Sequence, residues 1–460
     1  MQRVDVAIVG GGPAGSSAAR SAAAEGADAV VVEKGVPRED REGLGPDSTD
    51  AAGFLDYWTD IAELDVDALP DDVVLRVLDG AKFVGPNERV AIERTGIESS
   101  YDEFGFTFHR ARMDDYLRSR AEAAGAEYRV GTGVKSVDTD LTGRPEHTLR
   151  LADGSAIVAD ALVLADGPQR RITMPVLDQF LPRDRKASEV LNPRTANHIA
   201  YQEYREFPEE VFDPSHIVFW WGWIPGKTAY PWVFPNEDTV ARVGLTMPIG
   251  MDIDAIPDRD AYRLLRREDD RIPAGSVYVD RLLEDLYGDE YDVESDFPLV
   301  EGGHGKDAGT ETYPISSTTP VDSPTEANVA VVGGAMGATS AFHEGGDHVA
   351  MRTGSIAGRL AATDALDHYN AAWKDAIGAE VRRNVAMADV VADYTPADWD
   401  RAIALARTML EQRERGALFG FSNAAASLEG LALYLRYRWR RFGLRGPRCA
   451  QLRESEYTVR

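Results

Sequence analysis

The chain has 460 residues, 43% hydrophobic and 9% aromatic, enough to bury a sizeable core divided among two or three units. Asp and Glu outnumber Lys and Arg by 77 to 50, a formal net charge of −27 that disfavours nucleic acid as a general partner. A single cysteine, Cys449 in a basic tail, excludes an internal disulfide and a Cys-held zinc or iron–sulfur centre, so it is expected as a free thiol and no metal site is expected.

In chain order, Val4, Val6, Ile8 and Val9 form an apolar run that predicts a buried parallel strand. Gly10-x-Gly12-x-x-Gly15, with Pro13 and Ala14 inside it, leads into an Ala-rich helix, and a second apolar run from Ala29 to Val32 ends in Glu33. Strand, glycine turn, helix, strand and acid in this order form a dinucleotide fingerprint. Gly10 permits the tight turn, Gly12 lets the backbone approach a pyrophosphate, and Gly15 allows close helix–strand packing. The helix N-terminus offers N–H donors to the phosphates, and Glu33 can accept from ribose hydroxyls.

A polar passage, Lys34 to Asp50, follows, and strands are predicted at Val73–Leu78 and Lys82–Val84. Asp114 is placed to cap a helix running to Gly125. Ala126 to Val130 reads as a strand, and Asp153-Gly154 as the turn of a ribbon leading to the apolar strand Ala161–Ala165, which closes on Asp166-Gly167. Residues 196 to 250 alternate aromatic and polar positions, which predicts a mostly antiparallel sheet with one face on a core or cavity. Near the end, Asn328–Val332 is a strand that runs into Gly333-Gly334, and Glu344-Gly-Gly346-Asp347 precedes a helix from about His348 to Ala362. Beyond Leu366 the pattern is helical. The late strand and turn, three hundred residues after the first, fit a cofactor spanning two strand ends, FAD rather than NAD.

Gly10–Gly15 with Glu33, Arg110-x3-Asp-x2-Leu117, Ala165-Asp166-Gly167 and the late strand–turn–helix together resemble the FAD enzymes of the p-hydroxybenzoate hydroxylase-like class. Within that class, Tyr230-Pro-Trp232-Val-Phe234-Pro235 followed by Val243-Gly244 is similar to the YxWxFP…VG motif of geranylgeranyl reductases. The resemblance implies an α/β fold, in which a Rossmann-like FAD-binding domain (1–72, 107–172, 313–365) is interleaved with a mainly antiparallel β substrate domain (73–106, 173–312), and residues 366–460 form a C-terminal helical region. It implies that Gly10, Gly12, Pro13, Ala14, Gly15, Glu33, Arg110, Asp166, Gly167, Gly333, Gly334, Gly346 and Asp347 hold FAD. Tyr230, Trp232, Phe234 and Pro235 would line the cavity for an isoprenoid chain. Trp220, Trp221 and Trp223 read as core packing.

Three departures from the family pattern stand out. Gly334 replaces the usual Asp of a Gly-Asp pair, Glu344-Gly-Gly346-Asp347 replaces G-x-G-Ile, and Leu44-Gly-Pro46 replaces a Cys-containing segment. Asp347 reads as a helix N-cap that would also oppose negative charge on reduced flavin.

The implied activity is an FAD-dependent reduction of C=C bonds in polyprenyl chains of lipids or related isoprenoids. The alternatives are a flavin monooxygenase or other flavin oxidoreductase of the same fold, and an FAD-less membrane-surface binding homologue. Neither the electron donor, NAD(P)H, reduced ferredoxin or another, nor the catalytic proton donor is named by the sequence.

The tail Tyr434–Arg448 interleaves aromatics with arginines, a composition suited to a lipid headgroup zone, or to pairing with the acidic body of the protein. No run reaches the roughly 18–20 apolar residues of a membrane span; the longest, Ala417 to Leu435, is broken by Ser422, Asn423, Ser427 and Glu429. With the first strand entered by Val4 and no signal-peptide pattern, a cytoplasmic location is expected, with possible peripheral contact at the inner membrane face. Only seven of the 50 basic residues are Lys. This acidic, Arg-rich composition suits the concentrated salt of a haloarchaeal cytoplasm, where charge is screened within a few ångströms.

Overall fold

The computed structural model describes residues 1–37, 52–301, 309–316, 319–414 and 428–459. Leu44-Gly-Pro46 and most of Ala417–Leu435 lie outside them.

The first seven-stranded sheet has Gln2–Val9 near its centre, hydrogen-bonded in parallel to Ala29–Val32 on one side and Ala156–Leu164 on the other. Glu127–Arg129 extends the parallel edge beyond Ala29–Val32. The strand Ala156–Leu164 is shared along its length. Its first half pairs antiparallel with Glu146–Leu151, the ribbon turned by Asp153-Gly154, and its second half pairs parallel with the distant Val329–Val331. Helices cover this sheet, so Val6, Ile8, Val30, Val31, Leu162 and Val163 are all fully buried.

Helix α1 (Pro13–Ala24) follows the first strand with Pro at its first position, where the missing N–H costs nothing. Helix α2 (Arg110–Ala123) starts four residues before Asp114, so Asp114 does not cap it. That carboxylate instead accepts from Arg110 Nε one turn back, at 3.0 Å. Helix α3 (Asp347–Ala362) packs directly on α1. A Cβ on Gly354 would lie 2.0 Å from the Ala14 carbonyl oxygen, and one on Gly358 2.0 Å from that of Ala18. Only glycine lets two backbones approach this closely. Helix α4 (Leu428–Gly443) lies against the helix Gly378–Val390.

The second seven-stranded sheet runs Thr310–Ile315, His198–Glu206, Val240–Pro248, Tyr230–Pro235, His216–Trp220, Gly80–Val84, Arg89–Ile92. All of its pairs are antiparallel except His216–Trp220 with Gly80–Val84. The edge strand continues to Ile315, past the boundary expected at 312, because Pro314 and Ile315 stay in register with Ile199 and His198. A three-stranded sheet, Gly53–Leu55 with Gly105–Phe108 and Val74–Leu78, bridges the two larger ones.

Arg170 fastens the units together. Its guanidinium, 1% exposed, donates to the carbonyls of Ala335 (2.8 Å) and Pro168 (3.2 Å), to Asn197 Oδ1 (3.3 Å) and to the Ser316 hydroxyl. Burial lowers its pKa to about 10, against the opposing pull of Asp166, so it remains a cation at neutral pH. Cys449 is not part of an exposed tail; it is a buried free thiol in the core of the first unit, beside Leu452, whose residue bridges to Val321.

Gly354→Ala and Gly358→Ala are each expected to lower stability by about 1–3 kcal/mol, because the helix-propensity gain of about 1 kcal/mol cannot offset backbone overlap. Gly443→Ala, with nothing within 4 Å of the added carbon, is the control and should be neutral or slightly stabilising. Denaturant titration of the three variants checks this.

Candidate functional site

One cavity of about 1250 Å³ runs from the first glycine turn to the second sheet. Small-molecule sites typically occupy roughly 300–1,000 Å³, so this volume suits a dinucleotide with a second ligand beside it.

At the nucleotide end, the strand–turn–helix shapes a cradle. Gly10 has φ +99°, and a Cβ there would lie 2.4 Å from the Ala165 carbonyl oxygen, so the turn and the neighbouring strand end need glycine. A Cβ on Gly15 would sit 1.9 Å from Gly10 O; Gly15 serves packing and does not line the cavity. Gly12 differs: a Cβ there would meet nothing within 4 Å, because open cavity lies in front of it. Gly12 is also the N-cap of α1 and makes no side-chain cap bond, so the helix start faces the cavity with Pro13 and Ala14. Glu33 is held at the rim, accepting from the N–H of Gly11 (2.6 Å) and of Gly35 (2.7 Å). Remaining lone pairs on both carboxylate oxygens can accept from a ribose.

The start of α3 opens on the same space. Gly346 is its N-cap, again with no side-chain cap bond. Asp347 is therefore the first helical residue and not a cap; its carboxylate is drawn away by Arg110 Nη1 at 3.2 Å. Arg110, Asp347 and Asp114 form a mostly buried ion cluster on the cavity wall. Asp166 and Gly167 also line the cavity, but the Asp166 carboxylate is turned back to the start of the helix Thr173–Phe180, accepting from Ile172 N (2.6 Å), Thr173 N (3.1 Å) and the Thr173 hydroxyl. Gly334 lines the cavity where it presses on Pro168; a Cβ there would be 3.1 Å from the ring, which crowds the acid expected at this position. Gly333 has φ +57° and faces Ala14 instead of the cavity.

These observations fit FAD. Two uncapped helix N-termini and a glycine facing open space give donors for a pyrophosphate and for the polar edge of a flavin. The expected FAD-less alternative is set aside on the same ground, since Gly334 and Asp347 leave the cradle open.

The other end is aromatic. Tyr230, Trp232 and Phe234 line it, while Pro235 does not; its carbonyl accepts from the buried Thr107 hydroxyl at 2.7 Å. Ile217, Phe219 and Trp221 fall on alternate positions and line the cavity, so Trp221 is not the core residue expected, whereas Trp220 packs in the core on the far face, as expected. Trp223 reaches the same core only because Gly222, at φ +78°, turns the chain beyond the strand end. The Trp221 ring lies 4.4 Å from Tyr230, 4.5 Å from Trp399 and 5.4 Å from Phe342. Trp221 could have been placed by counting alternate positions from Phe219. Phe54, Phe83 and Phe342 also line the wall with no single-residue signal to mark them, and Glu344, within the segment that departs from the family pattern, joins them. Trp58, itself a lining residue, stacks on His348 at 4.2 Å and on His343 at 5.7 Å.

Glu33→Gln should raise the FAD dissociation constant about 10- to 100-fold, since hydrogen bonds to a charged acceptor contribute about 1.5–3 kcal/mol. Titration of FAD into cofactor-stripped protein checks this.

Residues 5–53 match the FAD binding domain family. Digeranylgeranylglycerophospholipid reductase of Thermoplasma volcanium is 29% identical over 313 residues, 66% of this chain and 66% of that protein. Digeranylgeranylglycerophospholipid reductase 3 of Methanosphaera stadtmanae is 25% identical over 422 residues, 88% of this chain and 90% of the relative. Among solved structures, a geranylgeranyl bacteriochlorophyll reductase-like protein of Thermoplasma acidophilum superposes with a TM-score of 0.69 at 21% identity, covering 96% of this chain and 99% of that one. A myxobacterial FAD-dependent halogenase follows at 0.56 and 17%, covering 98% and 100%, a likeness of fold. The chain is thus a homologue of the digeranylgeranylglycerophospholipid reductases, with FAD as its cofactor.

Proposed function

We propose that the protein is an oxidoreductase that uses reduced FAD to saturate C=C bonds of polyprenyl chains, on a geranylgeranylated archaeal-type lipid or a related isoprenoid. The observation that carries this reading is the continuity of the cavity, with a phosphate-ready cradle at one end and a wall of Tyr230, Trp232, Phe234, Trp221 and Phe219 at the other. Aromatic walls bury an apolar chain without leaving polar groups unpaired. FAD supplies the hydride. The protein's part is to hold the chain against the wall and keep water out, which matters because an isolated alkene is a poor hydride acceptor. A flavin monooxygenase acting on a small aromatic is the second reading; it would show as NAD(P)H-linked oxygen uptake with a phenol.

The test uses the FAD-loaded protein, reduced anaerobically in concentrated salt and mixed with a geranylgeranylated glycerophospholipid. Mass spectrometry should show the gain of one H2 per saturated bond. Unchanged lipid together with phenol-dependent oxygen uptake would replace this reading by the second.

Asp347, at the start of α3, opposes negative charge on the reduced cofactor, and its ion pair with Arg110 offsets part of that opposition. Asp347→Asn should raise the flavin midpoint potential and Arg110→Gln should lower it. An unchanged potential in both would leave the pair a structural role only.

Helix α4 supports the membrane-surface part of the proposal. Tyr434, Leu435, Trp439 and Phe442 are exposed on it among Arg436, Arg438 and Arg440, while Tyr437 of the same helix lines the cavity. Among the described residues, no helix is long and apolar enough to cross a membrane. A lipid could therefore pass from the surface into the cavity beside α4. Flotation with anionic lipid vesicles should recover the protein, and Trp439→Ala with Phe442→Ala should abolish recovery without releasing FAD.

A further inference from the structure

We propose that Glu344 is the proton donor of this reduction, a carboxylic acid kept neutral in the cavity wall that protonates one alkene carbon while the hydride goes to the other. The inference rests on the polyprenyl-reductase reading and assigns the step that reading leaves without a residue.

Four observations converge on this side chain. First, Glu344 lies on the loop between the late glycine turn and α3, two residues before the Gly346 N-cap, so it sits where the nucleotide end of the cavity meets the aromatic end. Second, its backbone has φ +58°, the left-handed region, where a residue other than glycine is strained by roughly 1–2 kcal/mol. Such strain persists where the surrounding structure holds it, and it clusters at functional sites. The resemblance places a glycine at this position, so the carboxyl is an addition made at a cost.

Third, the side chain is only 3% exposed and lines the cavity. Oε2 accepts from the Thr246 hydroxyl, whereas Oε1 has no hydrogen-bond partner and His198 Nε2 stands 3.5 Å from it. Fourth, the groups around it favour the neutral acid. Thr246 and Tyr230 come from the aromatic sheet, and the Tyr230 hydroxyl is occupied, donating to the His343 carbonyl at 2.8 Å. The adjacent His343 is itself held to a pKa of about 4 by burial, which leaves it uncharged near neutrality. Burial pushes the Glu344 carboxyl above its usual value, with His198 and the Thr246 bond acting against it.

The chemistry balances. The alkene π pair takes the Glu344 proton and forms one C–H bond, leaving the O–H pair on the carboxylate. The other carbon gains positive character and receives the hydride pair supplied by reduced FAD, which is oxidised by two electrons. The carboxylate is reprotonated from water, for which His198, 3.5 Å away, is the nearest relay. On a trisubstituted isoprene bond the proton goes to the less substituted carbon, and the faces of Trp221 and Tyr230 stabilise charge on the other. A neutral carboxylic acid in an apolar site is a known device for acid catalysis near pH 7.

Two measurements test this. The first needs no substrate. A carboxyl with a raised pKa in the folded protein binds more protons than the unfolded chain, so it costs stability as pH rises from the unfolded value of about 4.3 towards and through the folded one. Glu344→Gln keeps the same backbone strain and can still accept from Thr246. It should melt above the parent near neutral pH, with the margin closing below about pH 4. A variant less stable than the parent at neutral pH means an ionised carboxylate paired with His198, and overturns the proposal.

The second is single turnover of the reduced FAD-loaded protein. Glu344→Gln and Glu344→Gly should keep FAD and its reduction by dithionite, yet reduce the polyprenyl lipid at least about 100-fold more slowly. Glu344→Asp should recover part of the rate. In D2O, deuterium should appear at the less substituted carbon of each reduced bond with the parent protein. A Glu344→Gln rate within threefold of the parent sinks the donor role. If the parent itself reduces no polyprenyl bond, the functional reading fails and the donor role falls with it, while the melting comparison still decides whether the carboxyl is neutral.

Discussion

The contact on which the rest depends is the backbone-to-backbone packing of α1 and α3. Gly354 and Gly358 meet the carbonyls of Ala14 and Ala18 with no room for a methyl group between them. The two helices lie more than three hundred residues apart in the chain, yet this contact aims both of their uncapped N-termini into one space. Moving α3 outward by one methyl radius would carry with it Gly346, Asp347 and the Glu344 loop. A wall position 1 Å out of place can cost about 10²-fold in rate, so small residues at a distant helix face set the precision of the chemistry.

Charge and apolarity are kept at opposite ends of a single cavity. The nucleotide end carries Glu33, Arg110, Asp114, Asp166 and Asp347, each bonded to a backbone N–H or to an opposite charge. The other end carries rings. Among the described residues that line the cavity, Glu344 is the one acid that crosses from the first kind of environment to the second. In that setting a carboxyl is costly to ionise, and this is what makes it useful as an acid.

Much of this was legible in the sequence, for reasons that differ by residue. Gly10, Gly12 and Gly15 announce themselves by their spacing between two apolar runs, although only Gly15 answers a steric clash within a few residues; Gly10 meets the distant Ala165 carbonyl and Gly12 faces open cavity. The second sheet is readable because its strands alternate with period two, and the same count places Trp221. Arg170 is not readable, since apart from the Pro168 carbonyl the partners named for it stand 27 to 165 residues away and no local pattern marks a buried cation. The helix starts at Arg110 and Asp347 were misjudged for one reason: in each case an acid that suits a cap is taken by an arginine instead. Cys449 sits beside arginines in the sequence but under the first sheet in space, because Leu452 draws that segment inward.

The strand Ala156–Leu164 divides its hydrogen bonds between a neighbouring ribbon and a strand that begins at Val329. During synthesis, therefore, half of its free edge waits until more than 160 further residues have been made. The first unit cannot close early as an independent domain. Pairings this distant in sequence form slowly and leave an apolar edge open to other chains meanwhile. Both halves of the finished cradle line the one cavity, so a cofactor held there would bind the closed form and shift the balance towards it by mass action. The cofactor would then act as a folding ligand as well as a redox one, its supply helping to set how much chain reaches the native state.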